Sequence, residues 1–271
     1  MYVTSDKKVF LHMPKTAGIS FHRSLQEAKD IFIQCNMRHQ HISMLPQKYS
    51  EYPRYIILRN PLDWYISFYK FFSETEGFFS FLLKDRDEEM NETLVNFDTF
   101  IFRAMNLKRF FLENPQKADI INSIIQEQEQ LHFMMTFFTE VISMENINNF
   151  DCSLFDFFWK GTGGDTAQVI PMDENLSANV EKIFGFPMNS HENKTDSKIQ
   201  LSLKDLSDET KAIIIYNHKR FFYSLGLMED IESANIIIEA LIEKQKEIDE
   251  AAEKLKEIEG GTAEKEVEII T

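Results

Sequence analysis

The chain has 271 residues, of which 43% are hydrophobic, and a formal net charge of −15. That length can bury one sizeable core plus an appendage, while the acidic balance excludes a general nucleic-acid binder. No apolar run is long enough to span a membrane, residues 1–8 lack the apolar stretch of a signal peptide, and Cys35 and Cys152 lie far apart and form no metal pattern; a cytoplasmic, reducing location is expected. The charge is uneven. From Glu229 to Thr271 there are 14 acidic and 5 basic residues, so this stretch carries −9 and the body −6. Any anionic ligand must therefore be held by local groups rather than by a global field.

The first predicted element is a strand at Val9-Phe10-Leu11. It feeds the loop His12-Met13-Pro14-Lys15-Thr16-Ala17-Gly18, where Pro14 ends the strand. Gly18 is read as a place where a ligand can approach the backbone. Ile19, Phe21, Leu25 and Ala28 then follow helical spacing. A strand, a tight loop and a helix N-terminus make an anion site, because free N–H groups and the positive dipole end point outward. Lys15 adds a charge, and Thr16 and Ser20 add hydroxyls. A phosphate or sulfate ester is the expected ligand.

Ile31–Gln34 reads as a second strand, and Arg38-His39-Gln40-His41-Ile42-Ser43 as a polar segment with two histidines. Arg54–Arg59 is a third strand with the near-continuous apolar run of a buried parallel sheet. Asn60, Pro61 and Asp63 suit the N-cap, first position and first turn of the next helix. That helix carries Trp64, Phe68 and Phe71–Phe72.

Residues 74–96 read as an acidic loop or small insertion, with helices expected over 97–112 and 117–138. A fourth strand is expected at Glu140–Asn146 and a helix near 147–158. Gly161-Thr162-Gly163-Gly164-Asp165 is the clearest loop signal. A short helix is expected over 175–184. Ser207 should cap a helix through Leu225, with Gly226 as its stop. Alternating strands and helices predict an α/β fold with a mainly parallel sheet flanked by helices. Two parts are expected: a domain over 1–228 and an acidic amphipathic tail over 229–271. In the tail, Ile231, Ala234, Ile238, Leu241, Ile248, Ala252 and Leu255 fall at heptad spacing, with Gln245 interrupting. This helix should pack on the body or pair with a second copy, ending at Gly260-Gly261.

Two motifs carry chemistry. The loop is not a standard NTPase P-loop, because its lysine precedes its glycine. His-Met-Pro-Lys-Thr-Ala-Gly-Ile-Ser instead resembles the 5′-phosphosulfate loop of carbohydrate sulfotransferases, with Ile19 where threonine is usual. An arginine at a strand end and a serine two turns into the next helix can converge on one phosphate. Arg59-Asn60-Pro61 through Ser67-Phe68-Tyr69 resembles the 3′-phosphate motif of the same family. Segments at 142–150 and 184–194 and the helix from Ser207 to Gly226 extend the resemblance over about residues 7–228. The chain is thus similar to the branch containing uronyl 2-O-sulfotransferases.

That resemblance implies a P-loop-like three-layer fold and 3′-phosphoadenosine 5′-phosphosulfate (PAPS) as sulfuryl donor. It places Lys15, Thr16, Ala17, Gly18, Ile19 and Ser20 on the 5′-phosphosulfate, and Arg59 and Ser67 on the 3′-phosphate. Lys15 would also act on the leaving group, with no metal. A His-x-His pair between the two motifs also occurs in that branch, which favours His41 as base and His39 in support, with Glu145 as rival. The acceptor would be a hydroxyl, on a glycan or small molecule. The alternatives are a nucleotide-phosphate kinase and a non-catalytic nucleotide-binding interaction protein. The residues themselves also permit plainer roles: a structural ion pair for Arg59, a helix-surface position for Ser67 and surface positions for His39 and His41.

Overall fold

The structure is a computed structural model that describes residues 1–28, 32–34, 42–74, 80–86, 92–115, 152–188 and 197–267. It is a mixed α/β protein with a mostly parallel central sheet flanked by helices. Among the described residues this sheet has five strands: β1 (Tyr2–Thr4), β2 (Val9–Leu11), β3 (Phe32–Gln34), β4 (Arg54–Leu58) and a late strand at Gln168–Pro171, called β7 in chain order. Their order is β3-β1-β2-β4-β7. β1 runs antiparallel to both β2 and β3, whereas β2–β4 and β4–β7 pair in parallel. Four strands therefore point one way and β1 opposes them. Between β4 and β7 lies a separate hairpin of β5 (Lys84–Arg86) and β6 (Glu92–Leu94).

Side-chain alternation along the strands divides the core into two layers. Val3, Val9, Leu11, Ile56 and Leu58 face one layer; Tyr2, Phe10, Ile57 and Ile170 face the other. The second layer is covered by α1 (Gly18–Glu27) through Phe21 and Leu25, and by a helix over Leu176–Phe184 (α7) through Val180 and Phe184. Phe10 and Phe21 stack there with centroids 3.7 Å apart.

The first layer is larger. It is built by α2 (Pro61–Glu74), α3 (Ser80–Leu83), α4 (Phe97–Met105), α5 (Leu107–Glu113), α6 (Leu154–Thr162), α8 (Asp208–Asn217), α9 (Lys219–Ser224) and α10 (Met228–Val267). Trp64, Tyr65 and Phe68 of α2 are fully buried at its centre. Among the described residues, no helix is long and apolar enough to cross a membrane.

Several elements differ from the sequence reading. β1 and β7 were not foreseen: each is three or four residues long, too short for a clear period-2 pattern. The helix expected over 97–112 breaks at Asn106, whose side chain accepts from the Arg109 N–H (2.9 Å) and caps a new helix. The one expected over 207–225 breaks at the buried His218. The segment 74–96, read as irregular, contains α3 and the hairpin. Gly161 and Thr162 belong to α6, which ends at Gly163 with φ 85°, a conformation suited to glycine. Ile19 is exposed rather than part of the buried stripe of α1. α10 continues past Gly260-Gly261 to Val267, and its first turns bury Ile231 and Ala234 in the large core. The strand expected at 140–146 and the helix expected at 117–138 lie outside the described residues.

Candidate functional site

A pocket of about 210 Å³ opens at the carboxyl ends of the three parallel strands β2, β4 and β7, the usual place for a ligand in an open α/β sheet. His12, Pro14 and Lys15 follow β2, Arg59 follows β4, and Met172 follows β7. Ala17, Gly18 and Ile19 line it from the start of α1; Ser67, Phe71 and Phe72 line it from α2.

The loop after β2 is held by the surrounding core. Trp64 Nε1 donates to the Pro14 carbonyl (2.7 Å), Thr16 Oγ1 donates to the Met13 carbonyl (2.8 Å), and Arg59 Nη1 donates to the Lys15 carbonyl (3.3 Å). These bonds hold Lys15 and Ala17 at φ 65° and 58°, left-handed values that cost energy in a non-glycine residue. Thr16 between them is not left-handed. Such alternation turns successive N–H groups toward one side and makes an anion-binding concavity.

α1 then starts at Gly18 with Ala17 as its N-cap. No side chain caps it, and its first turn contains no acidic residue. The first N–H groups of a helix have no intrahelical partner, so this end of α1 offers donors and the positive dipole end to an anion.

Gly18 does not have a left-handed φ. It is glycine because the His12 ring packs against it: a Cβ at position 18 would lie 1.7 Å from His12 Nε2. The glycine thus makes room for an imidazole at the pocket wall rather than for a turn.

α2 begins as its sequence predicts. Asn60 Oδ1 accepts from the Leu62 N–H (3.0 Å), Pro61 is the first helical residue and Asp63 lies in the first turn. This start fixes Arg59 at the strand end and sends Ser67 and Phe71, one turn apart, along the pocket wall.

The electrostatics of the pocket are one-sided. Among the described residues, neither Lys15 nor Arg59 has a carboxylate within ion-pair distance. Burial, with the neighbouring Arg59 charge acting in the same direction, lowers the Lys15 pKa from 10.5 to about 8. Burial also lowers the pKa of Arg59, against a smaller opposing pull from Asp63. The Lys15 ammonium sits 4.0 Å from the centroid of the Phe71 ring, a cation–π contact. Two partly desolvated cations beside one cavity, with no carboxylate in ion-pair distance among the described residues, form an environment that an anionic ligand would relieve.

The structure therefore brings Lys15, Ala17, Gly18, Ile19, Arg59 and Ser67 together around one pocket. Thr16 and Ser20 are buried and do not line it; Thr16 braces the loop instead. His39, His41 and Glu145 lie outside the described residues. The sequence reading assigned no role to His12, Phe71, Phe72 or Met172. Phe71 was legible as the residue four after Ser67 on the same helix face, whereas Met172 follows a strand that the sequence did not announce. No group of three or more His, Cys, Asp or Glu side chains among the described residues could hold a metal ion. Comparison with protein-family models, curated proteins and solved structures finds no match for this chain.

Proposed function

We propose that the protein is a sulfotransferase that moves a sulfuryl group from PAPS to a hydroxyl, on a glycan or small-molecule acceptor, within a P-loop-like three-layer frame. The observation that carries this reading is the convergence of Lys15, Arg59 and Ser67 on one pocket, with no carboxylate partner for either cation among the described residues. Their motifs lie on two different strand–helix junctions, which suits a donor with two separate phosphate groups.

In this mechanism the acceptor oxygen attacks sulfur and loses its proton to a base. The bond from sulfur to the bridging oxygen breaks, and 3′,5′-diphosphoadenosine leaves. Lys15 neutralises the charge developing on that oxygen together with the N–H groups opening α1, so the chemistry calls for no metal. Arg59 and Ser67 hold the 3′-phosphate. His41 is the base and His39 its support, with Glu145 as the competing candidate. The reaction is placed in the cytoplasm.

Transfer of labelled sulfate from PAPS to a panel of hydroxyl acceptors tests the reading. Turnover is expected, with His41→Ala losing most of it while binding diphosphoadenosine normally. Binding without turnover on any acceptor favours a nucleotide-binding interaction protein, and turnover of ATP instead favours a kinase. If Glu145→Ala is folded, binds nucleotide and is inactive while His41→Ala works, the base is Glu145.

A further inference from the structure

We propose that the distal part of α10 pairs in parallel with the same segment of a second copy of this chain. α10 has two different environments along one continuous helix. Ile231 and Ala234 are buried in the large core, and Ile237 and Ile238 pack partly against it. From Ile242 to Glu253 every residue is exposed, and the helix continues to Val267. Residues 242–267 span roughly 40 Å at the rise of an α-helix.

The apolar seam does not stop where the body stops. With Ile231 and Ala234 as heptad positions a and d, the same register continues through Leu241 (d), Gln245 (a), Ile248 (d), Ala252 (a) and, in the sequence, Leu255 (d). Ile248 is 52% exposed and Ile242, at the flanking position e, is 60% exposed. An isolated helix does not need a seam in register with its packed end; a two-stranded coil does.

Charge complementarity selects the occupant and its direction. In a parallel pair, position g of one helix faces position e of its partner, five residues further on. Lys244 (g) then faces Asp249 (e) of the second copy, and the symmetry gives this pair twice. Asp249 also accepts a hydrogen bond from Gln245 on its own helix (2.8 Å), which holds its carboxylate at the edge of the seam. In the antiparallel register that sets Gln245 opposite Ile248 and Leu241 opposite Ala252, Lys244 lies near Ala251 and Asp249 near Ile242, with no such pairing. Gln245 is the one polar residue among the a and d positions from Ile231 to Leu255, and a single polar residue at position a can fix register in a parallel dimer.

The test is the mass in solution of the full chain over a dilution series. Twice the 31.9 kDa of one chain is expected at high concentration. Ile248→Lys should give the single-chain mass with an unchanged melting temperature for the body. Lys244→Asp should weaken dimerisation, and adding Asp249→Lys should restore it. Ala252→Cys should cross-link to its own counterpart under oxidation, beyond any background from the unaltered chain, because only a parallel in-register pair places position 252 beside itself. A wild-type monomer at every concentration, or a dimer untouched by Ile248→Lys, overturns the proposal. A dimer that Ile248→Lys dissociates but Ala252→Cys does not cross-link overturns the parallel arrangement.

Discussion

Lys15 is held between two opposing demands: its loop and Phe71 remove it from water, and an anion in the pocket needs it charged. Its pKa of about 8, below the ordinary 10.5, means that the charge is complete well below pH 8 and lost as pH rises through it. Affinity for 3′,5′-diphosphoadenosine should therefore be steady at lower pH and fall above about 8. Binding should also take up protons near and above that pH, because a bound phosphate restores the lysine pKa. Calorimetry in buffers of different ionisation enthalpy measures this uptake, and Lys15→Met should abolish it. The same shift acts on stability: between about 8 and 10.5 the unfolded chain holds a proton that the folded chain does not, so Lys15 makes stability rise with pH across that window. At the neighbouring Gly18, substitution by alanine forces a Cβ into the His12 ring. Gly18→Ala should cost roughly 1–3 kcal/mol, the usual range for overpacking. In a His12→Ala background the same change should cost much less. Urea denaturation of the four proteins in this cycle gives the coupling.

At the level of elements, the two junctions that build the site follow local rules, while the helices behind them follow packing. The α8–α9 break is the clearest case. His218 is fully buried at the break, with Nε2 3.1 Å from the Tyr65 hydroxyl and Nδ1 3.6 Å from Asp156. Tyr65 in turn accepts from the Phe155 N–H (3.3 Å), and Arg220 bridges Asp156 (2.7 Å) and Asp165 (3.0 Å). One imidazole thus ties α2, α6 and the break together. Burial lowers its pKa from 6.5 to about 4, outweighing the opposing pull of Asp156. The unfolded chain therefore binds this proton first as pH falls. Stability should drop between about 6.5 and 4 on this account, and His218→Gln should lose that part of the slope while being less stable at neutral pH. Thermal melts against pH for both proteins check it; parallel slopes would contradict a buried neutral His218.

Across the whole molecule, the pocket needs three strand ends that are far apart in sequence, near residues 12, 59 and 172. If each strand–helix junction holds one phosphate, as proposed, 3′,5′-diphosphoadenosine should bind far better than AMP; equal affinities by calorimetry would refute the two-phosphate site. The long helix divides in the same way between body and surroundings. Deleting 229–271 removes Ile231 and Ala234 from the core and should lower the melting temperature sharply. Deleting 242–271 should leave the melting temperature of the body unchanged. The difference between the two truncations measures how far the body extends into α10.

What the sequence determined by itself was local. The strand–loop–helix at Val9–Glu27, the capped start of α2 at Asn60-Pro61, and the two separate motifs around Lys15 and around Arg59 and Ser67 were legible, because each depends on residues within a few positions of one another. Tertiary structure decided the rest. β1 and β7 exist because neighbouring strands offer them ladders, and three or four residues carry too little pattern to say so. Gly18 is set by an imidazole six residues earlier in the chain, Thr16 turns its hydroxyl into the loop, and His218 breaks a continuous helical pattern because Tyr65 and Asp156 wait for it. The heptad seam of α10 was visible from the start. Only the folded body showed where the chain's own core stops covering it, because burial is a property of what packs against a helix and not of the helix alone.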